Sequence, residues 1–134
     1  MARYNDTNVP AAVQPHLQPG EVLRHYAFGV KPPHLMVMIL VGPLIAALMT
    51  RNYIVALTNR RLLVLQFKGN LNVTQVTEYA LDQLPSVTGS VGLIFTKMRI
   101  EDTGKPFAAK FHRMGMPNNR MHSTAILAAL GVAA

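Results

Sequence analysis

Residues 53–67 read YIVALTNRRLLVLQF, and this stretch decides the fold. Two runs rich in Val, Ile and Leu, 53–57 and 61–67, flank Thr58-Asn59-Arg60. Asn tolerates a positive φ, and the side chains of Thr and Asn hydrogen-bond to their own backbone in tight turns. The pattern therefore predicts two antiparallel strands joined by a short hairpin turn.

Two adjacent arginines lie where the turn meets the second strand. In one interpretation, one of Arg60 and Arg61 faces solvent and the other lies along the sheet. In the other interpretation, one of them pairs with a carboxylate, Glu21, Glu78 or Asp82, and fixes the strand register. The residues alone leave both interpretations open.

Short strand patterns separated by turns continue on both sides of this hairpin. Residues 73–79 (VTQVTEY) alternate apolar and polar side chains, though not strictly, as a strand with one wet face does. The predicted turns are 68–70, 89–92 and 101–104. The other predicted strands are 21–30, 84–88, 93–100 and 107–112. The chain therefore has seven predicted strands.

The last part of the chain changes to a helical pattern. Pro117 suits the first turn of a helix, and Gly131 lies where a helix C-cap belongs. The apolar positions that line one broad face are Met121, Ala125, Leu127, Ala128 and Leu130. The sequence thus predicts a mainly β domain with a C-terminal α-helix.

Residues 35–49 differ from every strand pattern. They read LMVMILVGPLIAALM, fifteen residues without a polar side chain, between KPPH at 31–34 and Thr50-Arg51. A bilayer-crossing helix needs about 20 apolar residues and a buried core helix fewer, so this length falls between the two. Gly42-Pro43 lies at the centre, and such a pair kinks or breaks a helix.

Two short motifs, residues 55–65 (VALTNRRLLVL) and Pro19-Gly20-Glu21, resemble the hairpin and the start of the first strand in bacterial pleckstrin-homology (PH)-like domains. The resemblance implies a mainly β, PH-like barrel or sandwich of about seven antiparallel strands in two near-orthogonal sheets. It also implies a C-terminal α-helix and an apolar, helical insertion after the first strand. PH-like folds host lipid binders, peptide binders and oligomeric scaffolds, so the resemblance does not choose among these functions.

The N-terminal residues precede this domain and contain three prolines. We predict an extended, poorly ordered arm at 1–20 and a PH-like domain at 21–131 with its apolar insertion at 35–49. The start of the chain, MARYNDTNVPAAVQP, has mixed polar residues and no apolar core after a basic start, so it does not have the pattern of a secretory signal. We therefore expect the protein to stay in the cytoplasm.

Composition favours a binding surface over catalysis. Thirteen Lys and Arg against six Asp and Glu give a net charge of +7, which attracts polyanions. The absence of cysteine excludes thiol catalysis and Cys-based metal sites. The spacing of His16, His25 and His34 does not bring ligands together on a metal. No nucleophile can be identified beside His112 or His122. We expect no enzyme activity, no metal and no cofactor.

The flanks of the apolar insertion decide how it would meet a membrane. The predicted strands 21–30 and 53–57 belong to one sheet, so both ends of the insertion lie on the same side of any bilayer. Lys31 and Arg51 flank it, which favours one positive side for both ends. The segment is therefore expected to dip and return about Gly42-Pro43, or to lie in the interface as a kinked helix.

Three roles compete for the insertion: packing on the domain's own sheet, immersion in a bilayer, and burial in a homo-oligomer. A helix that is apolar on all sides favours the last two. Lys31 and Arg51 are the predicted contacts with lipid headgroups. The predicted contacts with a membrane or a partner are Leu35, Met36, Ile39, Leu40, Leu44, Ile45, Leu48 and Met49.

The leading functional interpretation is a non-catalytic PH-like module that uses the insertion to associate with a membrane surface or a membrane protein complex, at the inner face of the membrane. The alternative is a soluble homo-oligomeric scaffold with the insertion as its subunit interface. A third interpretation is a nucleic-acid-binding β-barrel. The basic residues are scattered, however, and there is no array of exposed aromatics for stacking bases, so nucleic acid is the less favoured partner.

Overall fold

The computed structural model describes residues 4–31, 35–69, 71–104 and 106–132. The strands are β1 (Leu23–Lys31), β2 (Arg51–Thr58), β3 (Arg61–Lys68), β4 (Asn72–Ala80), β5 (Val87–Val91), β6 (Phe95–Ile100) and β7 (Phe107–His112). The helices are α1 (Asn8–Val13), α2 (Leu35–Met49) and α3 (Asn119–Ala129). The mainly β class, the C-terminal helix and the helix after the first strand are confirmed. Outside the described residues lie 1–3 of the predicted arm, 32–34 of the KPPH flank and Asn70 of a predicted turn.

All seven strands form one antiparallel sheet, in the order β4-β3-β2-β1-β7-β6-β5. We call β1–β4 the first half-sheet and β5–β7 the second. In the described chain, one residue pair, Val30 with Lys110, joins them. The two sheets implied by the resemblance are therefore the halves of a single sheet, which is not closed and has β4 and β5 as its edges.

The central hairpin has the predicted strands and the predicted turn. Leu57 of β2 pairs with Leu62 of β3. The Thr58 hydroxyl accepts hydrogen bonds from the backbone N–H groups of Arg60 at 3.1 Å and Arg61 at 2.9 Å. These bonds satisfy two donors that the tight turn leaves without a strand partner.

One core lies on the inner face of the sheet, between the two half-sheets and α3. Leu62 of the first half-sheet and Phe111 of the second are buried there. Ile126 and Leu127 are the buried anchors of α3. Because burial of a large apolar side chain is worth about 1.5–3 kcal/mol, these residues hold the helix on the sheet. The helix ends before Gly131, which has φ 83 and lies at the predicted C-cap.

A second core lies on the outer face of the first half-sheet, beneath the N-terminal segment. Val9 and Val13 of α1 have no exposed surface. They belong to one apolar cluster with Leu63 and Leu65 of β3. Strands β2 and β3 of the first half-sheet are therefore covered on both faces, whereas most of the edge strand β4 is exposed.

The prediction of an extended N-terminal arm is wrong over residues 4–20, which contain α1 and a 3-10 turn at Gln14–His16. The prolines do not break these helices, because Pro10 and Pro15 lie in their first turns. A proline in that position removes only an N–H that has no partner within the helix. The burial of α1 on the sheet then holds the segment in place.

The boundaries of the second half-sheet differ from the prediction. Residues 89–91 continue β5 where a turn is predicted, and the turn to β6 lies at 92–94. Both strands therefore begin later than predicted. Gly89 lies within β5, paired with Met98, and a larger residue would not fit there, because a Cβ would lie 2.9 Å from the Leu127 side chain and 2.5 Å from the Lys97 carbonyl oxygen. This glycine marks a close approach of α3 to the sheet.

The apolar insertion is α2, and it is broken at the predicted place. Gly42 has φ 84 and ψ 167, a conformation that only glycine adopts without strain, and Pro43 follows it. The two ends of the insertion meet again, because Lys31 of β1 pairs with Arg51 of β2. The insertion is therefore a loop of the β1–β2 hairpin that leaves the sheet and returns to the same point.

Candidate functional site

The apolar insertion, residues 35–49, concentrates exposed apolar side chains. Leu40, Leu44 and Leu48 expose 80%, 75% and 77% of their surface. The other predicted contact residues with large exposure are Met36, Ile39, Ile45 and Met49. The side chain of Leu35 lies outside the described part of the structure. A contiguous apolar surface of this kind is typical of a contact with a membrane or with another protein.

The rest of the domain leaves the insertion uncovered. Among the described residues, no strand or helix makes an extended contact with α2. The inner face of the sheet is occupied by α3, and the outer face of the first half-sheet by α1. Among the described residues, the domain's own sheet therefore does not cover the insertion.

Three cations lie side by side at the base of the insertion. Lys31 and Arg51 pair across β1 and β2. Lys68 follows Phe67, the partner of Asn52, and so lies beside Arg51. In the described part of the chain none of the three cations has an ion pair. We call these three residues the cationic base.

Lys68 is absent from the predicted headgroup contacts. The pairing of residues across the β2–β3 hairpin would have predicted its position. Counting residue pairs outward from the turn at 58–60 places residue 51 opposite residue 68. The prediction used the turn motif without following the pairing to the far end of the hairpin.

The reach of the insertion is limited by its length. None of the described helices combines the length and hydropathy required to cross a bilayer. Each half of α2 has about seven residues and is about 10 Å long at 1.5 Å per residue. The hydrocarbon core of a bilayer is about 30 Å thick. The insertion therefore has the reach of a helix that enters the headgroup and upper acyl region of one leaflet.

A recess opens on the inner face of the sheet beside the cationic base. Its volume is about 130 Å³, and Lys31 and Arg51 are among its lining residues. The other side chains with polar groups that line it are Tyr53, Gln66, Gln75, Thr77 and Tyr79. Several water molecules fit in this volume, and a phosphate group would also fit. Its oxygens would accept hydrogen bonds from the surrounding donors.

A buried charge network lies at the opposite end of the hairpin. Arg61 donates to Glu21 from Nη2 at 2.7 Å and from Nε at 3.0 Å, and it also pairs with Glu78. Hydrogen bonds from Arg61, with smaller contributions from Thr58 and a backbone N–H, lower the pKa of Glu21 from 4.5 to about 2 against the opposing effect of burial. Pairing of an arginine with a carboxylate is therefore confirmed for Arg61, and Arg60 is exposed.

A second polar cluster joins the N-terminal segment, β1 and α3. The Nδ1 atoms of His25 and His122 are 3.2 Å apart, so one donates and the other accepts. The Tyr26 hydroxyl donates to Asp6 at 2.8 Å, and its ring stacks on His122. Burial, together with the nearby His25, lowers the pKa of His122. Within the described ranges, which do not include His34, no three His, Asp or Glu side chains gather as a metal site.

No protein-family model and no curated protein matches the chain. Among solved structures, the chain is similar to the hSac2 domain from human phosphoinositide phosphatase Sac2, with 10% identity and a TM-score of 0.49. The match covers 91% of this chain and 76% of that chain. A likeness at this level does not establish a family. Membership of the PH-like family therefore stays a prediction, and function is argued from the residues of this chain.

Proposed function

We propose that the chain is a non-catalytic, PH-like module that binds the surface of a membrane. The apolar insertion enters one leaflet, and the cationic base lies at the level of the lipid phosphates. One observation carries the proposal: the exposed leucines lie on a loop whose two ends return to a single cationic point. The anionic lipids of a cytoplasmic leaflet suit these charges, which favours the inner face of the membrane.

The apolar side chains supply the larger part of the binding free energy. Transfer of a large aliphatic side chain out of water is worth about 1.5–3 kcal/mol. Leu40, Leu44 and Leu48 each expose at least 75% of their surface. A Lys or Arg close to an anionic surface adds about 1 kcal/mol. Binding is therefore expected on neutral membranes and is expected to strengthen with anionic lipid.

The broken helix suits shallow entry into lipid. Backbone groups without a hydrogen-bond partner are costly in hydrocarbon. A half of about seven residues pairs only about three of its N–H groups within the helix, so its ends need the hydrated headgroup region and deep entry is disfavoured. At the break, Pro43 has no N–H to remove from water. Gly42 supplies the conformation that turns the chain there. The tip of the insertion thus has fewer unpaired donors than an ordinary turn.

A homo-oligomeric scaffold and a nucleic-acid-binding barrel fit these observations less well. A symmetric contact between two insertions would cover the leucines, but it would bring two cationic bases together, and like charges oppose association. Binding of single-stranded nucleic acid relies on exposed aromatic rings. Phe95 is the one large aromatic side chain that is well exposed in the described part of the chain. A bilayer is the partner that satisfies both the apolar and the cationic surfaces.

The proposal is tested by flotation of the purified protein with phosphatidylcholine vesicles. Leu40→Asp with Leu44→Asp should abolish binding, because each buried carboxylate costs about 2.5–3.5 kcal/mol on insertion scales. A matched control is Leu93→Asp with Met114→Asp, which changes two apolar residues that are each 75% exposed but lie on the second half-sheet side. The control variant should bind like the wild type, and the circular dichroism of both should remain that of a β protein.

Two results would contradict the proposal. One is continued flotation of the Leu40 and Leu44 variant. The other is a wild-type chain that forms one sharp oligomer in plain buffer, is unaffected by lipid, and becomes monomeric with the same two substitutions. Light scattering on a sizing column, with and without vesicles, measures the second result and would identify the scaffold alternative.

A further inference from the structure

The turn between β5 and β6 has an apolar tip. The Gly92 N–H donates to the Phe95 carbonyl oxygen at 2.8 Å, so Leu93 and Ile94 are the two central residues of a tight hairpin. Tight turns favour Gly, Pro, Asn and Asp, because these residues suit the backbone conformation or hydrogen-bond to it. Leu93 and Ile94 do neither, and they expose 75% and 51% of their surface. Neither turn geometry nor burial in a core therefore accounts for them.

The β2–β3 turn shows that the fold does not require an apolar tip at this end of the sheet. Because neighbouring strands are antiparallel, the β2–β3 and β5–β6 turns lie at one end of the sheet and the apolar insertion lies at the other. The β2–β3 turn carries Asn59 and Arg60, which are polar and exposed. The Leu93-Ile94 pair is thus a property of this one turn.

A second loop enlarges the apolar surface. The Arg113 N–H donates to the Ile94 carbonyl oxygen at 2.9 Å, so the loop after β7 lies against the β5–β6 turn. The next residue, Met114, exposes 75% of its surface, and Phe95 exposes 37%. We call Leu93, Ile94, Phe95 and Met114 the distal patch. A group of exposed, large apolar side chains is typical of a contact with another molecule.

Three cations border the distal patch. Arg113 belongs to the second loop, and Arg120 donates from Nε to the Gly92 carbonyl oxygen at 3.3 Å. The Lys110 ammonium is 5.9 Å from the centre of the Phe95 ring. All three cationic side chains are exposed, and none has an ion pair among the described residues. The patch therefore combines apolar contact area with positive charge that the domain does not neutralise.

These charges decide which partner fits. A second copy of the chain would bring the same cations together, and like charges oppose association. The chain also lacks an acidic surface to offer: within the described residues, which include every Asp and Glu, Asp82 alone has no hydrogen-bond or ion-pair partner. In the proposed function a membrane is met at the opposite end of the sheet. The partner that remains is a protein segment with Asp or Glu beside large apolar side chains.

We propose that the distal patch binds an acidic segment of a partner protein. The apolar side chains of the segment contact Leu93 and Met114, and its carboxylates pair with Arg113 and Arg120. This inference goes beyond the proposed function and does not depend on it. Where both hold, the chain binds a membrane with one end of its sheet and a protein with the other, and so brings an acidic partner to the membrane surface.

The first test selects ligands for the wild-type chain from a displayed library of random peptides. The enriched peptides should carry Asp and Glu beside Leu, Phe or Trp, because these residues supply the complementary charge and apolar area. They should bind Leu93→Asp with Met114→Asp much more weakly than the wild type. A selection that enriches no peptide, or enriches peptides without acidic residues, would overturn the inference.

The second test measures the affinity of one enriched peptide by fluorescence anisotropy. Leu93→Asp with Met114→Asp should lower the affinity at least about tenfold, because it removes apolar contact and adds like charge. Arg113→Gln with Arg120→Gln should lower it about threefold to tenfold and make it less dependent on salt. Both variants should keep the wild-type melting temperature, since all four side chains are exposed. Unchanged affinity in either variant contradicts the proposed contacts.

The matched control for charge is Arg24→Gln with Arg60→Gln, which removes two other exposed or half-buried cations. Arg24 and Asn59, the neighbour of Arg60, line a recess with Leu130 at the C-terminal end of α3, whereas Arg120 lies at its N-terminal end. The helix of 11 residues is about 16 Å long, which exceeds the screening length of about 8–10 Å. The control should bind the peptide like the wild type. Equal losses in the two arginine variants would indicate attraction to the whole basic chain and overturn the assignment.

Two further measurements separate the classes of partner. The enriched peptide should shift the amide NMR signals of Leu93, Ile94 and Met114, and shifts confined to the insertion would overturn the site. A single-stranded oligonucleotide that displaces the peptide and requires Arg113 and Arg120 would overturn the assignment to protein. Phosphatidylserine vesicles that displace the peptide through the same two arginines would overturn it as well.

The two proposals fail separately. Leu40→Asp with Leu44→Asp should abolish vesicle binding and leave peptide binding unchanged, whereas Leu93→Asp with Met114→Asp should do the reverse. If the wild type binds no vesicle but binds the peptide through the distal patch, only the proposed function fails. If each double variant abolishes both kinds of binding, one surface serves both and the assignment of the distal patch fails.

Discussion

The two half-sheets differ in how many of their faces are covered. In β2 and β3 most residues are buried, in continuous runs, because the inner core lies on one face and the N-terminal segment on the other. In β6, exposed and buried residues alternate strictly, and the outer face carries Lys97 and Arg99. The comparison shows that the pattern of apolar residues along a strand indicates how many faces of that strand other segments cover. A continuous apolar run indicates cover on both faces, and alternation indicates cover on one.

The largest expected effect tests the charge network that fastens the outer layer to the first half-sheet. Arg61 holds Glu21, whose side chain has no exposed surface, and donates from Nη2 to the His16 carbonyl oxygen at 3.0 Å. Arg61→Ala leaves that carboxylate buried without its partner. The free energy of unfolding, measured by chemical denaturation, should fall by about 3–5 kcal/mol.

The second half-sheet supplies the control for this change. Arg99 pairs with Glu101 at 2.6 Å, and both side chains are about half exposed. Arg99→Ala should cost less than about 1 kcal/mol, because solvent screens an exposed ion pair. Similar losses in the two variants would contradict the difference in cover between the half-sheets.

The next effect concerns matched positions on the outer faces. Leu65 of β3 is fully buried beneath the N-terminal segment, so Leu65→Ala should cost about 2–5 kcal/mol through lost burial and a cavity. Lys97→Ala on β6 should change stability by no more than about 0.5 kcal/mol. Thermal or chemical denaturation of the two variants measures both. A small loss for Leu65→Ala would mean that the N-terminal segment does not cover this face in solution.

The smallest expected effect is a dependence on pH. The pKa of His122 is lowered from 6.5 by burial and by His25, while Asp6 opposes the shift and the Tyr26 ring stacks on the imidazole. As the pH falls, the His122 imidazole is therefore protonated at a higher pH in the unfolded state than in the folded state. The stability that the neutral His122 contributes to the folded state is fully present above about pH 6.5. It is lost as the pH falls toward the pKa of His122 in the folded state.

Melting temperatures at about pH 7.5 and about pH 5.5 check this dependence. The wild type should lose stability at the lower pH. His122→Gln should lose less between the two pH values, whereas His16→Gln should keep the wild-type dependence. Equal slopes in the wild type and in His122→Gln would show that the cluster joining α3 and the N-terminal segment does not titrate in this range.

Short-range patterns made the first half-sheet and the broken insertion predictable from the sequence. The Thr58 turn set the β2–β3 register, and with it the position of Lys68 beside Arg51. Gly42-Pro43 marked the break in α2 because only glycine adopts that backbone conformation readily. Features that depend on contacts between residues close together in the sequence could therefore be predicted.

The rest of the fold depended on contacts between distant segments. That α1 covers the sheet was indicated only indirectly, by the continuous apolar run at 53–67. The prolines of the N-terminal segment suggested an extended chain instead. Glycine is common in turns, so Gly89 suggested one. In the structure Gly89 lies in β5, and it is glycine there because Leu127 of α3 packs closely over it. The pairing of Lys97 with Lys110 likewise follows from the register of β6 and β7, which the turn sequence at 101–104 did not fix.

The pairing of Lys31 with Arg51 also bears on how such a protein can change over evolutionary time. A segment whose two ends already meet in a strand ladder can be lengthened, shortened or exchanged for a tight turn without disturbing either core. The entropic cost of lengthening a closed loop grows slowly, by about 0.6 kcal/mol for each doubling. The same open sheet could therefore gain or lose this exposed apolar surface through a single insertion or deletion, while the remaining strands stay under separate selection for folding.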